Sequence, residues 1–478
     1  MKILLLQPPW AEVYGAYRDA ARIGNAYPPL GLCYLAAVAR KEGHDIRIID
    51  AEAEGKAITA IIKEAQEFSP NLIGITASSP IFRNARLVAQ KAKQVLNAPI
   101  ILGGPHVTVM PEQAMEEGKE FDYAVYGEGE HTFLHLLDAL QKDAPPAEVP
   151  GLIWRKGKDV IVNPPRPFIK DLDGLPFPDR SLLDLSRYSW GVPGIGVRRM
   201  TTVMTTRGCP FRCIFCSQRT MFGTAVRFRN PESILAEIED IVRRHGVRHL
   251  AFIDDTLTLK RERMVALCEG ILKKKLKITW EGWTRAECVD EELLRIMKRA
   301  GLVRISFGIE SGDPNILKII QKDTDFQKLK KAYKAAKKTG LETRGSAMLG
   351  HPYETRTSAL RTIRFLRSLK NCDQLYLNIA VPYPGTKLYE MAHKGEGGLK
   401  LLTQDLSRYR RYGDAVIEVN NLSRNDLVRL QRIGFLAFYM TPRRIYYNLL
   451  RAGILPGLRN VLAFARGVFK IGPLKKND

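Results

Sequence analysis

Short apolar runs alternate with amphipathic segments through the first 143 residues of the chain. Each apolar run is rich in Ile, Leu and Val and is bounded by Gly, Pro or Ser. Such runs are typical of parallel strands covered on both faces, and the segments between them have helical spacing. The pattern predicts strands at Lys2–Gln7, Ile46–Asp50, Leu72–Thr76, Pro99–Leu102 and Tyr123–Tyr126, and helices at Leu30–Lys41, Ile58–Phe68, Asn84–Leu96 and Glu130–Leu140. It therefore indicates a doubly wound α/β domain over residues 1–143.

The alternation breaks between residues 144 and 197, after five strands that fit a flavodoxin-like arrangement. This segment is rich in proline, and two apolar runs flank the turn Arg155–Lys158. The two runs predict a small hairpin. The rest of the segment is predicted to be a linker with little structure of its own.

Six further strand–helix units follow over residues 198–398. The pattern predicts strands at Thr201–Thr206, Leu250–Asp254, Ile278–Thr284, Val303–Ile309, Thr343–Leu349 and Leu375–Val381. Six β/α units make a partial (β/α)6 barrel, and barrel enzymes carry their chemistry at the carboxyl ends of the strands. Polar residues stand at those ends: Asp254, Asp255, Arg285, Glu310 and Ser311.

Residues 399–478 have a helical pattern in which apolar and aromatic residues alternate with Arg and Lys, most densely over 430–476. A basic amphipathic helix with aromatics favours contact with a membrane surface. The alternative is a helical cap on the barrel with a solvated basic face. Both interpretations remain open from the sequence.

Composition narrows the functional class. The net charge of +23 suits nucleic acid, an anionic membrane or an anionic substrate, but no basic stripe with stacking aromatics argues for nucleic acid. Seven cysteines in 478 residues do not form a disulfide framework and indicate a reducing, cytoplasmic compartment. The apolar start of the chain is too short for a signal peptide and is better explained as a strand.

Three cysteines, Cys209, Cys213 and Cys216, follow the first barrel strand with the spacing C-x3-C-x2-C. A zinc site needs a fourth ligand, and no suitable residue lies close in sequence. A redox dithiol would use Cys213 and Cys216 and leave Cys209 without a role. Three clustered thiolates instead suit a cubane iron–sulfur cluster with one open iron, where a substrate or cosubstrate can bind.

With this motif, and an aromatic residue (Phe215) before its third cysteine, the chain resembles the radical S-adenosylmethionine (radical SAM) superfamily. The resemblance implies a [4Fe–4S] cluster held by the three cysteines, with S-adenosylmethionine on the open iron. It also implies an external electron donor of the flavodoxin or ferredoxin type. One electron then cleaves the S–C5′ bond, and the adenosyl radical abstracts a hydrogen from the substrate.

The strand-end residues can be given roles in this setting. Asp254 and Asp255 could accept hydrogen bonds from the ammonium of S-adenosylmethionine. Arg285 could pair with its carboxylate through a bidentate fork. Glu310 and Ser311 could hold the ribose hydroxyls. The alternative is that these groups cap strands or bridge loops.

The two units together resemble the cobalamin-binding radical SAM proteins, which include carbon methyltransferases and the anaerobic cyclase of chlorophyll synthesis. The resemblance rests on 7–9, 27–32, 103–106, 127–130 and 382–386. It implies cobalamin beyond the carboxyl ends of the first sheet, where glycines let the backbone approach and serines bind its amides. The candidate residues are Ser78, Ser79, Gly103, Gly104, Gly127 and Glu128. The D-x-H-x-x-G motif is missing, so we expect no histidine on cobalt and a lower face that meets Ala11–Asn25.

The favoured function is methylation of an unactivated carbon, on an apolar and lipid-like substrate if the tail meets a membrane. The alternatives are radical cyclisation or rearrangement, a cobalamin or redox sensor, and a tRNA-modifying enzyme. The sensor would not cleave S-adenosylmethionine, and the tRNA enzyme would bind RNA with strong salt dependence. The residue identities alone do not name the substrate.

Overall fold

The structure is a computed structural model that describes residues 1–11, 13, 27–192 and 195–445. Within these residues the strands form two seven-stranded sheets and two two-stranded ribbons. The segment Ala11–Asn25, predicted to meet the lower face of a cobalamin, lies almost entirely outside the described residues.

The first sheet is built on five parallel strands. They are β1 (Lys2–Gln7), β2 (Asp45–Asp50), β3 (Leu72–Thr76), β4 (Ile100–Gly103) and β5 (Tyr123–Val125). Their order, β2-β1-β3-β4-β5, is that of flavodoxin-like domains. Ile3–Leu6 of β1, an interior strand, are all buried because helices cover both faces. The predicted doubly wound domain is confirmed.

Within the described residues, seven helices accompany this sheet. They are α1 (Leu30–Lys41), α2 (Ala51–Glu54), α3 (Ile58–Phe68), α4 (Phe82–Lys93), α5 (Pro105–Val109), α6 (Pro111–Glu117) and α7 (Gly129–Lys142). The α5 helix follows β4 after only Gly104, so its start lies at the carboxyl edge of the sheet. Its placement makes that edge part of the site described below.

Residues 144–197 contribute strands to both sheets. The predicted hairpin forms from β6 (Leu152–Lys156) and β7 (Asp159–Val162), and β6 pairs antiparallel with β5. A further strand, β8 (Ser189–Val192), pairs antiparallel with the first strand of the second sheet. The segment predicted as a linker with only a hairpin is therefore built into an edge of each sheet. The apolar strands at those edges gain backbone partners that the sequence pattern does not reveal.

The second sheet is a half-barrel of six parallel strands. They are β9 (Gly196–Val203), β12 (His249–Phe252), β13 (Thr279–Thr284), β14 (Leu302–Glu310), β15 (Glu342–Leu349) and β16 (Gln374–Ile379). The ribbon of β10 (Thr206–Arg207) and β11 (Arg227–Phe228) stands beside it. Each parallel strand lies next to its predecessor, from β9 to β16, and among the described residues no pairing joins the two ends. The predicted partial (β/α)6 barrel is confirmed.

Eight helices accompany the half-barrel within the described residues. They are α8 (Gln218–Phe222), α9 (Pro231–His245), α10 (Arg261–Lys273), α11 (Glu291–Arg299), α12 (Pro314–Ile319), α13 (Phe326–Lys338), α14 (Arg356–Ser368) and α15 (Lys387–Lys394). Their ends follow local chemistry. Asp290 caps α11 by accepting a hydrogen bond from the Leu293 N–H, and Gly246 ends α9 in the left-handed conformation.

The chain continues through the ribbon of β17 (Leu399–Leu401) and β18 (Ile417–Val419) to α16 (Arg424–Tyr439). This last helix buries Phe435 and Phe438 against the half-barrel, so this part of the predicted tail is a packed cap. Ile433 (36%), Leu436 (36%) and Met440 (63%) stay exposed. Residues 446–478, which hold much of the basic tail, lie outside the described residues. Over the described part of the chain, no helix is both long and apolar enough to cross a membrane.

Buried ion pairs join the first unit to the β10–β11 ribbon beside the half-barrel. Arg207 of β10 reaches Glu128 (3.1 Å) and Glu130 (2.5 Å), which lie after β5 in the first unit. Arg227 of β11 also binds Glu128, at 2.7 Å. The short β10–β11 ribbon thus holds the first unit against the loop that connects its two strands.

Candidate active site

The three cysteines lie on the loop between β10 and β11, directly after the first parallel strand of the half-barrel. Gly208 starts the loop with φ of 97°, and a Cβ there would overlap the carbonyl oxygen of Ala225. Only glycine fits such a position. The Cys209 N–H donates to the Gly223 carbonyl at 3.2 Å and closes the loop.

The middle of the loop is tied to the barrel. The Ile214 N–H donates to the Ile320 carbonyl at 3.2 Å, and the Leu388 N–H donates to the Ile214 carbonyl at 2.9 Å. Ile214 itself is buried. These contacts hold the backbone between Cys213 and Cys216 on a rigid support, which a multi-ligand site requires.

All three thiols are free and half-buried. Burial raises the pKa of each of them, to about 12 for Cys216. Such thiols become stable thiolates when a metal centre binds them, so the donor set fits an iron–sulfur cluster. No three His, Cys, Asp or Glu side chains of the described chain converge on one metal-ion position. A cluster takes each thiolate on a different iron atom.

Asp254 organises the start of the loop. It is buried, and its Oδ1 accepts hydrogen bonds from the Thr205 N–H (3.0 Å), the Thr205 hydroxyl (2.8 Å) and the Thr206 hydroxyl (2.6 Å). Burial raises its pKa, while these hydrogen bonds lower it. The side chain thus fixes the strand end that leads into the cysteines, and its predicted contact with an ammonium group stays a prediction.

Asp255, unlike Asp254, has no protein partner among the described residues. It is half-buried, and no hydrogen bond or ion pair to it is found within the described part of the chain. Burial and the neighbouring Asp254 raise its pKa to about 7. Its charge acts on both Cys209 and Cys216, so it lies beside the cysteine loop. Of the two carboxylates, Asp255 is the one available to a ligand.

Arg285 also lies beside the cysteine loop, at the end of β13. Its guanidinium stacks on the Phe211 ring at 3.9 Å, donates to the Asp323 carbonyl at 3.1 Å and pairs with Glu287 at 3.4 Å. Its charge acts on Cys209. The structure therefore places this predicted carboxylate-binding residue next to the cysteines.

Glu310 ends β14 with φ of 64°, an uncommon conformation for a residue with a side chain. Its carboxylate is buried and pairs with Lys322 at 2.9 Å. The Ser311 hydroxyl is fully buried and lies 3.0 Å from the Thr362 hydroxyl. Glu310 thus stands at the rim beside the cysteine loop, and Ser311 is engaged in the protein. Their roles toward ribose stay predictions.

Two residues of the site are absent from the sequence-based candidates. Lys322, the partner of Glu310, is near enough to act on Cys213. His351 is fully buried behind the Phe215 ring, 6.3 Å between centroids, and burial lowers its pKa to about 4. His351 follows β15 closely, so the strand-end signal could have identified it. Lys322 follows a helix and carries no such signal.

The carboxyl edge of the first sheet is open at two glycines. A Cβ at Gly103 or Gly127 would meet no atom within 4 Å. Gly104 is different: its φ is 94° and a Cβ would lie 2.5 Å from the Thr76 hydroxyl. Gly104 therefore shapes the turn, while Gly103 and Gly127 leave room for a bulky group against the backbone.

The other candidates at this edge have protein partners. The buried Ser79 hydroxyl lies 3.2 Å from Nδ1 of His106, and burial lowers the pKa of His106 to about 4. The Glu128 carboxylate accepts from the Ile169 N–H at 2.6 Å as well as from the two arginines named above. Ser78 is half-buried at the same edge. Their roles toward cobalamin stay predictions.

The two edges meet. The α5 helix, which follows Gly103 and Gly104, packs against α8, which follows the cysteines. A Cβ on Gly385, in the loop after β16, would lie 2.6 Å from Val109 of α5. The Gly385 carbonyl accepts a 2.8 Å hydrogen bond from the Thr220 hydroxyl of α8. The cysteine loop and the glycine-lined edge therefore belong to one site.

Comparison with known proteins agrees with this geometry. The model for the Radical SAM superfamily matches residues 203–366, and that for the B12 binding domain matches residues 19–137. An uncharacterized methyltransferase of Pyrococcus horikoshii is 37% identical over 93% of both chains. An anaerobic magnesium-protoporphyrin IX monomethyl ester cyclase of Cereibacter sphaeroides is 28% identical over 94% of this chain and 72% of its own. The hopanoid C-3 methylase of Methylococcus capsulatus is 26% identical over 75% of this chain and 67% of its own.

Solved structures share the fold. The cobalamin-dependent S-adenosylmethionine radical enzyme OxsB, with aqua-cobalamin and S-adenosylmethionine bound, has a TM-score of 0.74 at 18% identity, over 97% of this chain and 70% of its own. The methyltransferase TsrM from Kitasatospora setae, with tryptophan substrate and a SAM analogue bound, has a TM-score of 0.71 at 18% identity, over 92% and 90%. With three cysteines on a barrel-end loop facing a glycine-lined sheet edge, the chain is an enzyme of the cobalamin-binding radical SAM family.

Proposed function

We propose that the chain is a cobalamin-dependent radical SAM methyltransferase that methylates an unactivated carbon. One observation supports this most: the cysteine loop and the open glycines of the first sheet meet at one site through α5 and α8. When bound, the cluster supplies the electron that cleaves S-adenosylmethionine to an adenosyl radical, and cobalamin supplies the methyl group. An arrangement of this kind brings both reagents to the same substrate.

The residues of the half-barrel would bind and orient the cosubstrate. Cys209, Cys213 and Cys216 would hold the cluster. Asp255 would accept hydrogen bonds from the ammonium group, because its carboxylate has no protein partner in the described structure. Arg285 would pair with the carboxylate group.

The ribose and the adenine would lie along the rim. Glu310 stands at the rim with its carboxylate held by Lys322, and Ser311 follows it. Phe215 would contact the adenine, backed by His351. Asp254 would act on the loop, through its three hydrogen bonds to Thr205 and Thr206.

The first sheet would hold cobalamin at its carboxyl edge. Gly103 and Gly127 leave the room that a corrin ring needs, and Ser78 is the serine there with an exposed part. His106 contacts Ser79 through Nδ1, and its ring packs on the Phe82 ring with 4.1 Å between the ring centroids. We therefore expect no histidine on cobalt.

The substrate is proposed to be apolar. Trp283 of β13 and Tyr376 of β16 stack with centroids 6.2 Å apart although two strands separate them in the sheet. They can meet only across the concave side of the half-barrel, which gives that space an aromatic lining. Similarity to a hopanoid methylase points the same way. Similarity to the anaerobic cyclase keeps radical cyclisation as the second candidate.

A peripheral membrane contact through 430–476 would give access to such a substrate in a cytoplasmic protein. Ile433 and Leu436 stay exposed on α16, as does Met440 directly after it, and the basic segment follows in the sequence. Binding to vesicles that contain anionic lipid tests this contact, with Leu436→Asp as the variant. Unchanged binding of that variant would contradict the proposal.

The function is tested under anaerobic conditions. The cluster is reconstituted, cobalamin and S-adenosylmethionine are added, and 5′-deoxyadenosine and S-adenosylhomocysteine are measured by mass spectrometry. We expect both products with a competent substrate. Cys216→Ala should abolish deoxyadenosine, whereas Cys288→Ala, a half-buried cysteine outside the motif, should retain it. Deoxyadenosine alone would favour cyclisation or rearrangement. Neither product from an intact, reduced cluster would overturn the proposal in favour of a sensor.

A further inference from the structure

A groove of about 440 Å³ lies beside the cysteine loop and is not used by the proposed chemistry. We name it the Phe168 groove. Its lining includes His131, Arg166, Phe168, Ile169, Lys170 and Asp171. Phe168 is 40% exposed, which is unusual for a large aromatic side chain. The feature therefore combines an apolar centre with a charged rim, as protein docking sites do.

The groove leads to the first cysteine by a short path. A Cβ on Gly223 would lie 2.8 Å from the Phe168 ring, so the ring rests on the Gly223 backbone. The Gly223 carbonyl in turn accepts the hydrogen bond of the Cys209 N–H at 3.2 Å. One van der Waals contact and one hydrogen bond thus separate an exposed aromatic ring from the backbone of a cluster ligand.

The charge around the groove is mainly positive. Lys170 is exposed and forms no ion pair in the described structure, and Arg166 lies at the rim. Arg227 stacks on the Phe168 ring at 5.0 Å, but Glu128 balances its charge at 2.7 Å. The attraction therefore rests on Lys170 and Arg166. Asp171 is the one acidic residue of the lining. A surface of this kind attracts an acidic partner, and the net charge of +23 adds to the attraction.

The groove is separate from the cosubstrate side of the site. Its lining comes from α7 and from the segment 166–175, and none of it belongs to a strand of the half-barrel. Asp255 and Arg285, by contrast, approach the cysteines from barrel strand ends. A protein could therefore dock on the groove while S-adenosylmethionine stays in place.

We propose that the Phe168 groove is the docking surface for an acidic one-electron redox protein with a flavin or an iron–sulfur cofactor. This rests on the proposed function, which needs an electron but does not say where it enters. In the docked complex one electron leaves the reduced cofactor of the partner and enters the oxidised cluster. The partner is oxidised by one electron, the cluster is reduced by one, and no covalent bond changes.

The test compares two reductants of the reconstituted protein. Cluster reduction is followed by stopped-flow absorbance with a reduced flavodoxin and, separately, with a photoreduced deazaflavin, a small neutral reductant. We expect the flavodoxin rate to fall with added salt. Lys170→Glu should slow it roughly threefold to tenfold at low ionic strength, because rim charges govern association. The deazaflavin rate should not change.

Lys334→Glu is the matched control. Lys334 is exposed on α13, outside the barrel, and its reversal makes the same change in net charge. We expect it to leave the flavodoxin rate within twofold of the wild-type rate. Equal slowing by both variants, or no slowing by Lys170→Glu, would overturn the proposal.

A binding measurement separates this proposal from the proposed function. Calorimetric titration of the protein without its cluster with flavodoxin should show salt-dependent binding that Lys170→Glu weakens. If flavodoxin reduces the cluster but no deoxyadenosine forms, the proposed function fails and the docking surface stands. If deazaflavin supports deoxyadenosine formation while flavodoxin neither binds nor reduces the protein, the docking proposal fails and the function stands.

Discussion

Arg285 lies where a cosubstrate carboxylate and the cysteine loop would meet. Its stacking on Phe211 and its bond to the Asp323 carbonyl fix the guanidinium in place before any ligand arrives. A preorganised fork loses little entropy on binding, and lysine cannot reproduce its two parallel hydrogen bonds.

Arg285→Ala should therefore weaken S-adenosylmethionine binding roughly tenfold to a hundredfold, from the 1.5–3 kcal/mol of a charged hydrogen bond. Arg285→Lys should recover only part of the loss. Equilibrium binding of S-adenosylmethionine to the reconstituted protein measures both. Arg295→Ala, an exposed arginine of α11, should bind like the wild type. Equal affinity of all four proteins would contradict the assignment.

Glu354 gives the protein a pH-dependent stability. Burial raises the pKa of this carboxyl to about 8, and it accepts hydrogen bonds from the Gly350 and His351 N–H groups. The folded protein keeps the proton where the unfolded chain has released it. The contribution of Glu354 is thus fully present below its ordinary pKa and is lost as pH rises toward 8.

Glu354→Gln should flatten this fall in the free energy of unfolding between pH 5 and pH 8. One such group contributes at most about 1.4 kcal/mol per pH unit. Urea unfolding of the wild type and the variant across that range measures the difference. Glu390→Gln, at an exposed glutamate, should leave the slope as in the wild type. Parallel curves for wild type and Glu354→Gln would show that Glu354 does not carry the effect.

At the scale of elements, Gly312 determines how closely α14 approaches the end of β14. A Cβ on Gly312 would lie 2.5 Å from the Phe365 Cβ and 2.8 Å from the Thr362 backbone. Gly312→Ala should therefore push α14 away from Glu310 and cost about 1–3 kcal/mol in the free energy of unfolding.

Gly31→Ala is the comparison for that variant. Gly31 is exposed in α1, and a Cβ there meets no atom within 4 Å. Alanine in a helix favours folding by about 0.5–1 kcal/mol over glycine. Chemical unfolding should therefore shift in opposite directions for the two variants. A loss of stability for Gly31→Ala equal to that for Gly312→Ala would refute the packing argument.

The sequence predicted strand and helix positions because the spacing of apolar residues within a short segment indicates which element it forms. The predicted strand at Val303–Ile309, for example, is observed at Leu302–Glu310. The same local pattern could not show that the hairpin pairs with β5, since edge pairing depends on distant residues. Because barrel enzymes carry their chemistry at the carboxyl ends of the strands, the sequence predicted that Asp255, Arg285 and Glu310 lie near the cysteines. Lys322 was missed, because its position depends on the turn of the chain after α12.

At the scale of the whole molecule, buried charges couple the two units. Arg207 is 5% exposed and holds two glutamates of the first unit. Removal of one member of a buried pair leaves an uncompensated charge and costs about 3–5 kcal/mol. Arg207→Met should therefore lower stability strongly and uncouple the units.

Calorimetry should show one transition for the wild-type apoprotein and two for Arg207→Met. Arg40→Met breaks the ion pair between Asp179 and the Arg40 side chain, which is 48% exposed. It should lower the free energy of unfolding by less than about 1 kcal/mol. Adding Glu130→Gln to Arg207→Met should restore part of the stability, because it removes the carboxylate that has lost its arginine, whereas Glu128 keeps Arg227. A single transition with unchanged midpoint in Arg207→Met would refute the coupling.

The half-barrel ends at β16, and an unfinished barrel exposes a strand edge that can recruit other chains. Here side chains of α16 form hydrogen bonds with the backbone of that edge strand. Gln431 donates to the Leu377 carbonyl at 2.8 Å, and the Tyr439 hydroxyl binds both the N–H and the carbonyl of Leu375. Side chains of the last described helix therefore bind backbone groups of β16 that a neighbouring strand would otherwise bind. The helix protects the chain from edge-to-edge aggregation at the open side of the half-barrel.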